Sequence, residues 1–182
     1  MRMFVLGGAR SGKSSLAARL AAERSNDVCC VVTAVISDDE MRIRIDAHRR
    51  ERPSHWRVRE EPVKLSAALD EESRAGRTVL IDCLTLWTAN CLWPPASTPV
   101  DPSTPFEPDI AHWHAERDAF LASLAATSHD VIIVSNEVGT SLVPENAAAR
   151  LFRDEQGRLN QLVAAACDSA LLVAAGLPLR LK

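Results

Sequence analysis

Runs of consecutive apolar residues recur along this chain at intervals that suit an alternation of strands and helices. The runs do not alternate with polar residues, which is typical of strands buried on both faces of a parallel sheet. The stretches between them are rich in helix formers, so crossover helices can cover both faces of the sheet. The pattern predicts an α/β fold with a mostly parallel sheet, whose strands are residues 3–6, 28–33, 78–81, 131–135 and 170–174.

Two segments depart from this alternation. Residues 177–181 follow a turn at Gly176, and Pro178 restricts them to an edge strand because proline cannot donate a ladder hydrogen bond. Residues 94–108 contain six prolines, which excludes a regular helix or a central strand. We expect a surface excursion between two helices here, with a proline-rich ligand for another protein as the alternative. Too little chain lies on either side for two cores, so residues 1–182 are expected to form one domain.

Composition adds mainly exclusions. A net charge of -3 argues against a broad attraction to nucleic acids or membrane surfaces. No apolar stretch reaches the roughly 20 residues of a membrane span, and the N-terminus lacks the apolar region of a signal peptide, so a cytoplasmic location is expected. The five cysteines form no C-x-x-C pair and leave an odd number, so neither a zinc site nor a disulfide framework is supported.

The first predicted strand leads directly into the phosphate-binding pattern G-x-x-x-x-G-K-[ST]. Glycine lets the backbone curl around an anion, and the helix that follows adds the partial positive charge of its N-terminus. Lys13 is expected to place its charge on the outer phosphates, and Ser14 to offer its hydroxyl to Mg²⁺. The pattern predicts a nucleoside triphosphate site, here called the phosphate loop, which consists of Gly7, Gly8, Ala9, Arg10, Ser11, Gly12, Lys13 and Ser14.

An acidic residue, Asp82, ends the predicted strand at residues 78–81. An acid at this edge can hold Mg²⁺ opposite Ser14, directly or through water. Strands also end in aspartate for turn formation, which is the alternative. Beside a phosphate loop, the metal-binding interpretation is favoured.

Residues 37–52 have the pattern of a helix in which Met41, Ile45 and His48 share one face. Clustered cations lower the pKa of an imidazole and keep it neutral and nucleophilic, while arginine forks match phosphate oxygens. A neutral histidine can attack phosphorus and carry a phosphoryl or nucleotidyl group. The residues alone leave open whether His48 does so or is a partly buried helix histidine beside solvated arginines. The arginines that surround it are Arg44, Arg49, Arg50 and Arg52.

Other conspicuous residues have less specific patterns. His112 and His114 do not converge on one helix face, so we expect surface or packing roles and no metal site. Trp56 can stack on a base or ring, or pack in the core. Glu137 follows a buried strand where open α/β sheets bind ligands, which favours a substrate contact over a structural turn acid. Residues 160–161 are expected to serve either packing or substrate contact, and the sequence favours neither role.

Several motifs together resemble one known family, the bifunctional adenosylcobinamide kinases and adenosylcobinamide-phosphate guanylyltransferases of cobalamin biosynthesis. The likeness covers nearly the whole chain. At some positions the chain departs from the family's pattern. Some relatives have glutamate in place of Asp82, and others have a second histidine in place of Ala47. The motifs that carry it are residues 7–14, 38–41, 48–56, 82–85, 136–139, 143–146, 152–154 and 157–161.

The resemblance implies an enzyme that phosphorylates the aminopropanol hydroxyl of adenosylcobinamide and then transfers GMP from GTP to that phosphate, releasing pyrophosphate. It implies His48 as the nucleotidyl carrier, a fold similar to the RecA-type P-loop NTPases, Mg²⁺ as cofactor, GTP and ATP as substrates, and a homotrimer. A plain small-molecule kinase and a regulatory nucleotide-binding module are the alternatives. Besides the phosphate loop, the implied nucleotide-binding residues are Val32, Thr33, Ala34, Arg49, Arg50, Glu51, Arg52, Glu60 and Asp82.

Overall fold

The computed structural model describes residues 1–35, 39, 42, 43, 52–93 and 107–182. Within them, seven strands form one sheet in the order β3-β2-β4-β5-β1-β6-β7. All neighbouring strands are parallel except β6 and β7, which are antiparallel. The predicted parallel sheet with an edge strand at its C-terminal end is confirmed. The strands are β1 (Arg2–Gly7), β2 (Val28–Val32), β3 (Arg57–Glu60), β4 (Thr78–Asp82), β5 (Val131–Asn136), β6 (Ser169–Ala174) and β7 (Leu177–Arg180).

Helices cover both faces of this sheet, as the pattern predicts. Leu16, Ala17 and Ala21 of α1 pack into a core cluster on one face. The other helices of the described chain contribute to a second cluster on the opposite face. The helices are α1 (Lys13–Arg24), α2 (Leu65–Arg74), α3 (Leu84–Leu92), α4 (Ile110–Ala126) and α5 (Ala147–Ala166).

The central strand β5 shows why continuous apolar runs predict this fold. Val131 and Ile133 lie in the cluster with α2 to α5, whereas Ile132 and Val134 lie in the cluster with α1. Because successive side chains of a strand point to opposite faces, a strand between two helical layers must be apolar at every position. All four side chains are fully buried.

Aromatic side chains join the helices of the larger cluster. The ring of Trp87 meets those of Trp113 and Phe120 edge-on, with centroid distances of 5.3 and 5.2 Å. The indole of Trp87 donates a hydrogen bond to the Val63 carbonyl, and that of Trp113 donates to Glu155. Both indoles are therefore buried without leaving an unpaired N–H group.

The strand β3 has no counterpart in the sequence-based prediction. Three of its four residues are charged, so it lacks the apolar run that identifies the other strands. It forms because β2 offers a free edge, and its side chains need not enter the core there. Arg57 and Arg59 of this strand reach the buried Glu72 of α2, which fixes the edge against the helix.

The proline-rich segment joins two helices, as predicted. The helix α3 ends at Leu92 and α4 begins at Ile110, and the Asp109 N–H donates to the Leu92 carbonyl at 2.8 Å. The two ends of the segment therefore meet, and α3 and α4 pack in the same core. Residues 94–106 themselves lie outside the described part of the chain.

Candidate active site

The phosphate loop leaves β1 at Gly7 and enters α1 at Lys13, which confirms the predicted order of strand, loop and helix. Gly12 has a φ of 90°, a left-handed conformation that disfavours any side chain. The Lys13 Nζ lies 3.1 Å from the Gly8 carbonyl, so the ammonium is held over the loop. The first-turn N–H groups of α1 and this charge make the loop an anion site.

The turn between β6 and β7 packs against the phosphate loop. The Gly176 N–H donates to the Ser11 carbonyl at 2.8 Å. A Cβ atom on Gly12 would lie 3.2 Å from the Gly176 Cα, so a larger residue at position 12 would also push against this turn. The sequence predicts the turn at Gly176 but not its contact with the phosphate loop, because only the chain path brings the two together.

Asp82, at the carboxyl end of β4, pairs with Arg52 across a distance of 2.8 Å between Nη2 and Oδ2. Both side chains are largely withdrawn from solvent, with exposed fractions of 9% for Arg52 and 16% for Asp82. A partly buried pair of this kind is screened far less than a surface pair. Both residues are predicted site residues, but their pairing is not predictable from the sequence, since they lie 30 positions apart.

A cavity of about 310 Å³ lies between α1 and this ion pair. Ser14 and Asp82, the two predicted Mg²⁺ ligands, both line it. A hydroxyl and a carboxylate are the hard oxygen donors that Mg²⁺ prefers, so the residues present fit the ion. Within the described residues, no three His, Cys, Asp or Glu side chains gather into a larger metal-binding group.

A second cavity of about 560 Å³ lies along β3 and the segment before it. Its volume is within the range of small-molecule sites, about 300–1,000 Å³. Arg52 and Pro53 line both cavities, so the two adjoin at the ion pair. Trp56 is buried in the core, which confirms its packing role, and it also lines this second cavity, where stacking on a base or ring stays a prediction. The remaining lining residues are Ser54, Val58 and Glu60.

Thr33 lies at the carboxyl end of β2 and is fully buried. Its hydroxyl donates to the Cys83 carbonyl at 2.6 Å and accepts from the Cys83 N–H at 3.1 Å, next to a cis peptide bond between Asp82 and Cys83. Asn90 of α3 donates to the Thr33 carbonyl. Thr33, one of the predicted nucleotide-binding residues 32–34, therefore holds the end of β2 to the end of β4 through hydrogen bonds.

The end of β5 carries polar side chains beside the phosphate loop. Glu137 accepts a hydrogen bond from the Gly139 N–H at 2.6 Å, which is the turn role named as its alternative. On the other side of the strand, Ser135 donates to Asn160, and Gln156 donates to both of them. Asn160 therefore packs in a buried network, whereas its neighbour Gln161 is exposed. Polar residues at the end of an apolar strand, with an amide pair four residues apart on a later helix, are the sequence signal for this network.

The cysteines take no part in this chemistry. All five are buried thiols, and burial raises the pKa of Cys30 to about 12. Burial also raises the pKa of Cys83, although the charge of Lys13 opposes this effect. A thiol with a raised pKa remains protonated and is a poor nucleophile.

Four predicted site residues, His48, Arg49, Arg50 and Glu51, lie outside the described part of the chain. The chain resumes at Arg52, the next residue, which lines both cavities. His114 lies 3.7 Å from Glu155 on the far side of the sheet, in agreement with its predicted surface or packing role. No helix in the described part of the chain is long and apolar enough to cross a membrane.

A phosphate loop between a buried strand and a helix, beside a parallel strand that ends in aspartate, defines a P-loop nucleotide-binding protein. In agreement, the fold is similar to that of the type III secretion ATPase EscN from enteropathogenic E. coli, with a TM-score of 0.59 and 10% identity over 96% of this chain and 43% of that one. A second type III secretion ATPase matches with a TM-score of 0.52 and 12% identity, over 98% of this chain and 57% of that one. Within this class, the chain belongs to the cobinamide kinase / cobinamide phosphate guanyltransferase family, whose model matches residues 3–181.

Relatives of known name agree with this assignment. The bifunctional adenosylcobalamin biosynthesis protein CobP of Pseudomonas aeruginosa is 44% identical over 100% of this chain and 98% of its own length. The corresponding CobU proteins of Escherichia coli and Salmonella typhimurium are each 36% identical over the whole of both chains. The chain is therefore an enzyme, a cobinamide kinase and cobinamide phosphate guanylyltransferase. The resemblance drawn from the sequence motifs is confirmed.

Proposed function

We propose that both transfers take place at one nucleotide site, which the phosphate loop, Asp82 and the segment ending at Arg52 form together. The observation that carries this proposal is the ion pair between Arg52 and Asp82. It joins β4, the strand that ends at Asp82, to the residue that follows His48 to Glu51 in the chain. A histidine four positions before Arg52 can therefore act on the nucleotide that the loop holds.

In the kinase step, the substrate is adenosylcobinamide and the donor is GTP or ATP. The phosphate loop binds the triphosphate through its N–H groups, and Lys13 neutralises charge on the outer phosphates. Ser14 and Asp82 are the residues that would hold Mg²⁺, which when bound offsets the negative charge that develops on the phosphates. Phosphoryl transfer needs little more than this positioning and electrostatic stabilisation.

In the guanylyl step, a neutral imidazole nitrogen of His48 attacks the α-phosphorus of GTP, and pyrophosphate leaves with the electrons of the broken P–O bond. The phosphate of adenosylcobinamide phosphate then attacks the same phosphorus and displaces the histidine, which gives adenosylcobinamide-GDP. Arg49 and Arg50 supply charge for the α-phosphate, as arginine forks suit phosphate oxygens.

The larger cavity is suited to a guanine base. Trp56 and Glu60 both line it, so an aromatic residue and an acidic residue adjoin the same space. Guanine presents N–H donors on one edge, and a carboxylate accepts two such bonds. A homotrimer and a cytoplasmic location are predictions that come from the sequence analysis alone.

The test is the intact mass of the protein after incubation with GTP and Mg²⁺. The wild type is expected to gain one GMP, in a bond that is acid-labile and base-stable as a phosphoramidate is. The His48→Ala variant is expected to gain none. His55→Ala is the matched control, because His55 is exposed and lies in the same part of the chain, and it should form the adduct normally.

Two other results would separate the alternatives. Phosphorylation of adenosylcobinamide without any GMP adduct on the wild type would support a single-activity kinase. Nucleotide binding without either product would support a regulatory module. An adduct that persists in His48→Ala would show that another residue is the carrier.

A further inference from the structure

Asn136 occupies a position at the centre of the proposed site. It is the last residue of β5, and its Cα pairs in register with that of Gly7, where the phosphate loop begins. On the other side of β5 lies β4, which ends at Asp82. Asn136 is therefore between the strand that carries the phosphate loop and the strand that carries the predicted metal ligand.

The side chain of Asn136 points to the face of the sheet on which α1 and the phosphate loop lie. Ile132 and Val134 pack in the cluster with α1, and side chains two apart on a strand share a face. Ser135, which lies between Val134 and Asn136, points to the opposite face and into the network with Gln156 and Asn160. The alternation thus places the Asn136 amide on the same face of the sheet as the phosphate loop.

The backbone of Asn136 is held on both sides. Its N–H donates to the Thr85 hydroxyl at 2.8 Å, and its carbonyl accepts from the Asn160 amide at 3.1 Å. Asn160 is in turn fixed by Ser135 and Gln156, which are fully buried. These bonds leave the end of β5 little freedom, as precise placement of a reacting group requires.

The side chain, in contrast, has an acceptor that no described residue uses. The Asn136 Oδ1 is buried and has no hydrogen-bond partner among the described residues. An unpaired buried acceptor costs about 1–3 kcal/mol, so such atoms call for an explanation in a native structure. Phosphate oxygens are acceptors too and cannot satisfy it. A hydroxyl group can, because it donates.

We propose that Asn136 is a catalytic residue of the kinase step, and that its Oδ1 accepts a hydrogen bond from the attacking hydroxyl of the corrinoid substrate. The bond turns a lone pair of the hydroxyl oxygen towards the γ-phosphorus. That oxygen forms the new P–O bond, and the bond to the β–γ bridging oxygen breaks and leaves its electrons with the nucleoside diphosphate. The proton passes to an oxygen of the transferred phosphoryl group, since a neutral amide does not take it. The assignment rests on the proposed function.

The two half-reactions allow this role to be tested within one protein, because only the kinase step uses the hydroxyl. In Asn136→Ala, we expect kcat for phosphorylation of adenosylcobinamide to fall about 10- to 100-fold, the usual loss when an attacking group is misplaced. The KM for the nucleotide and the rate of GMP adduct formation with GTP alone are expected to change by less than about threefold, since neither involves the hydroxyl. Asn136→Leu, which keeps the branching and the number of heavy atoms of the side chain, is expected to show the same split.

Ser169→Ala is the matched control. The Ser169 hydroxyl is another buried oxygen without a partner in the described chain. It lies at the start of β6, however, at the end of the parallel strands opposite to the phosphate loop. Removing it should leave both half-reactions unchanged. An unchanged kinase kcat in both Asn136 variants would overturn the inference, and so would a parallel loss of nucleotide affinity and adduct formation, which indicates a phosphate contact or a structural role. Absence of both products in the wild type would overturn the proposed function, and this inference with it.

Discussion

Single buried charges with several partners hold the edge of this site. Glu72 of α2 is 1% exposed and forms ion pairs with Arg57, Arg59 and Arg77, at distances of 3.4, 3.4 and 2.9 Å. Two of these arginines belong to β3, which has no apolar run of its own to hold it. A buried carboxylate that loses its charge leaves its cationic partners without compensation. The position of β3, and of the larger cavity along it, therefore depends on one acidic side chain.

Glu72→Gln is expected to lower the free energy of unfolding by about 2 kcal/mol, less than for a fully buried pair because the arginines are partly exposed. Urea denaturation at neutral pH measures the change. Glu71→Gln is the control, because Glu71 is the neighbouring acid, has an exposed side chain and pairs with Arg59 alone among these arginines. Equal losses in the two variants would contradict the role given to Glu72.

Helix α5 contacts both the aromatic core and the end of β5. Its Glu155 accepts from the Trp113 indole of α4 at 2.8 Å, while its Asn160 and Gln156 fix the end of β5. Burial acts to raise the pKa of Glu155, but the hydrogen bonds from Trp113 and Arg158 and the nearby charges outweigh it and hold that pKa below the ordinary value. One helix thus joins the aromatic core to the site.

The pKa of Glu155 makes the packing of α5 dependent on pH. Because the carboxylate is favoured in the folded state, its contribution to stability is present above the ordinary pKa of 4.5 and is lost as the pH falls through the lower folded value. Glu155→Gln is expected to be less stable than the wild type by about 1–2 kcal/mol at neutral pH, because it loses charged hydrogen bonds. This difference should shrink on acidification below 4.5, as measured by urea denaturation at several pH values.

Asp154→Asn is the control for this prediction. Asp154 precedes Glu155 on the same helix, but its side chain is exposed, and among the described residues its ion pair is with its neighbour Arg153. Its substitution should leave the stability and its pH dependence nearly unchanged. A difference between Glu155→Gln and wild type that stays constant on acidification would contradict the role of the Glu155 charge.

At the scale of the molecule, one sheet and two helical layers account for the described residues. The proline-rich segment adds chain between α3 and α4 without separating them, since the Asp109 N–H bonds to the Leu92 carbonyl. Closing a loop costs free energy that changes only slowly with its length. The prediction of a single domain over residues 1–182 therefore has a direct test in this segment.

Replacing residues 95–106 with a short Gly-Ser linker is expected to leave one cooperative unfolding transition, with a melting temperature within about 4 °C of the wild type, which corresponds to about 1 kcal/mol at this size. The GMP adduct should still form, because Arg52, Asp82 and the phosphate loop lie outside the segment. Calorimetry and intact mass measure the two results.

Trp113→Ala is the comparison variant for this deletion. It removes a fully buried indole from the same helical pair and should lower stability by about 3–5 kcal/mol. Two separate transitions in the deletion variant would contradict the single domain.

By itself, the sequence determined the parallel sheet, the phosphate loop and the family, because these depend on local features. A strand buried on both faces must be apolar throughout, and an anion-binding loop must have glycine at fixed positions. The charged strand β3 was not predicted, because this edge strand is held by backbone pairing with β2 and not by apolar side chains of its own.

Only the tertiary structure decided which polar residues meet. The pair of Arg52 and Asp82 spans 30 positions, and the contact of Gly176 with the phosphate loop spans far more. The unused acceptor of Asn136 is likewise invisible in a sequence, since a residue's partners depend on the order of strands in the sheet. Local patterns fix elements, whereas the site is formed where the carboxyl ends of distant strands come together.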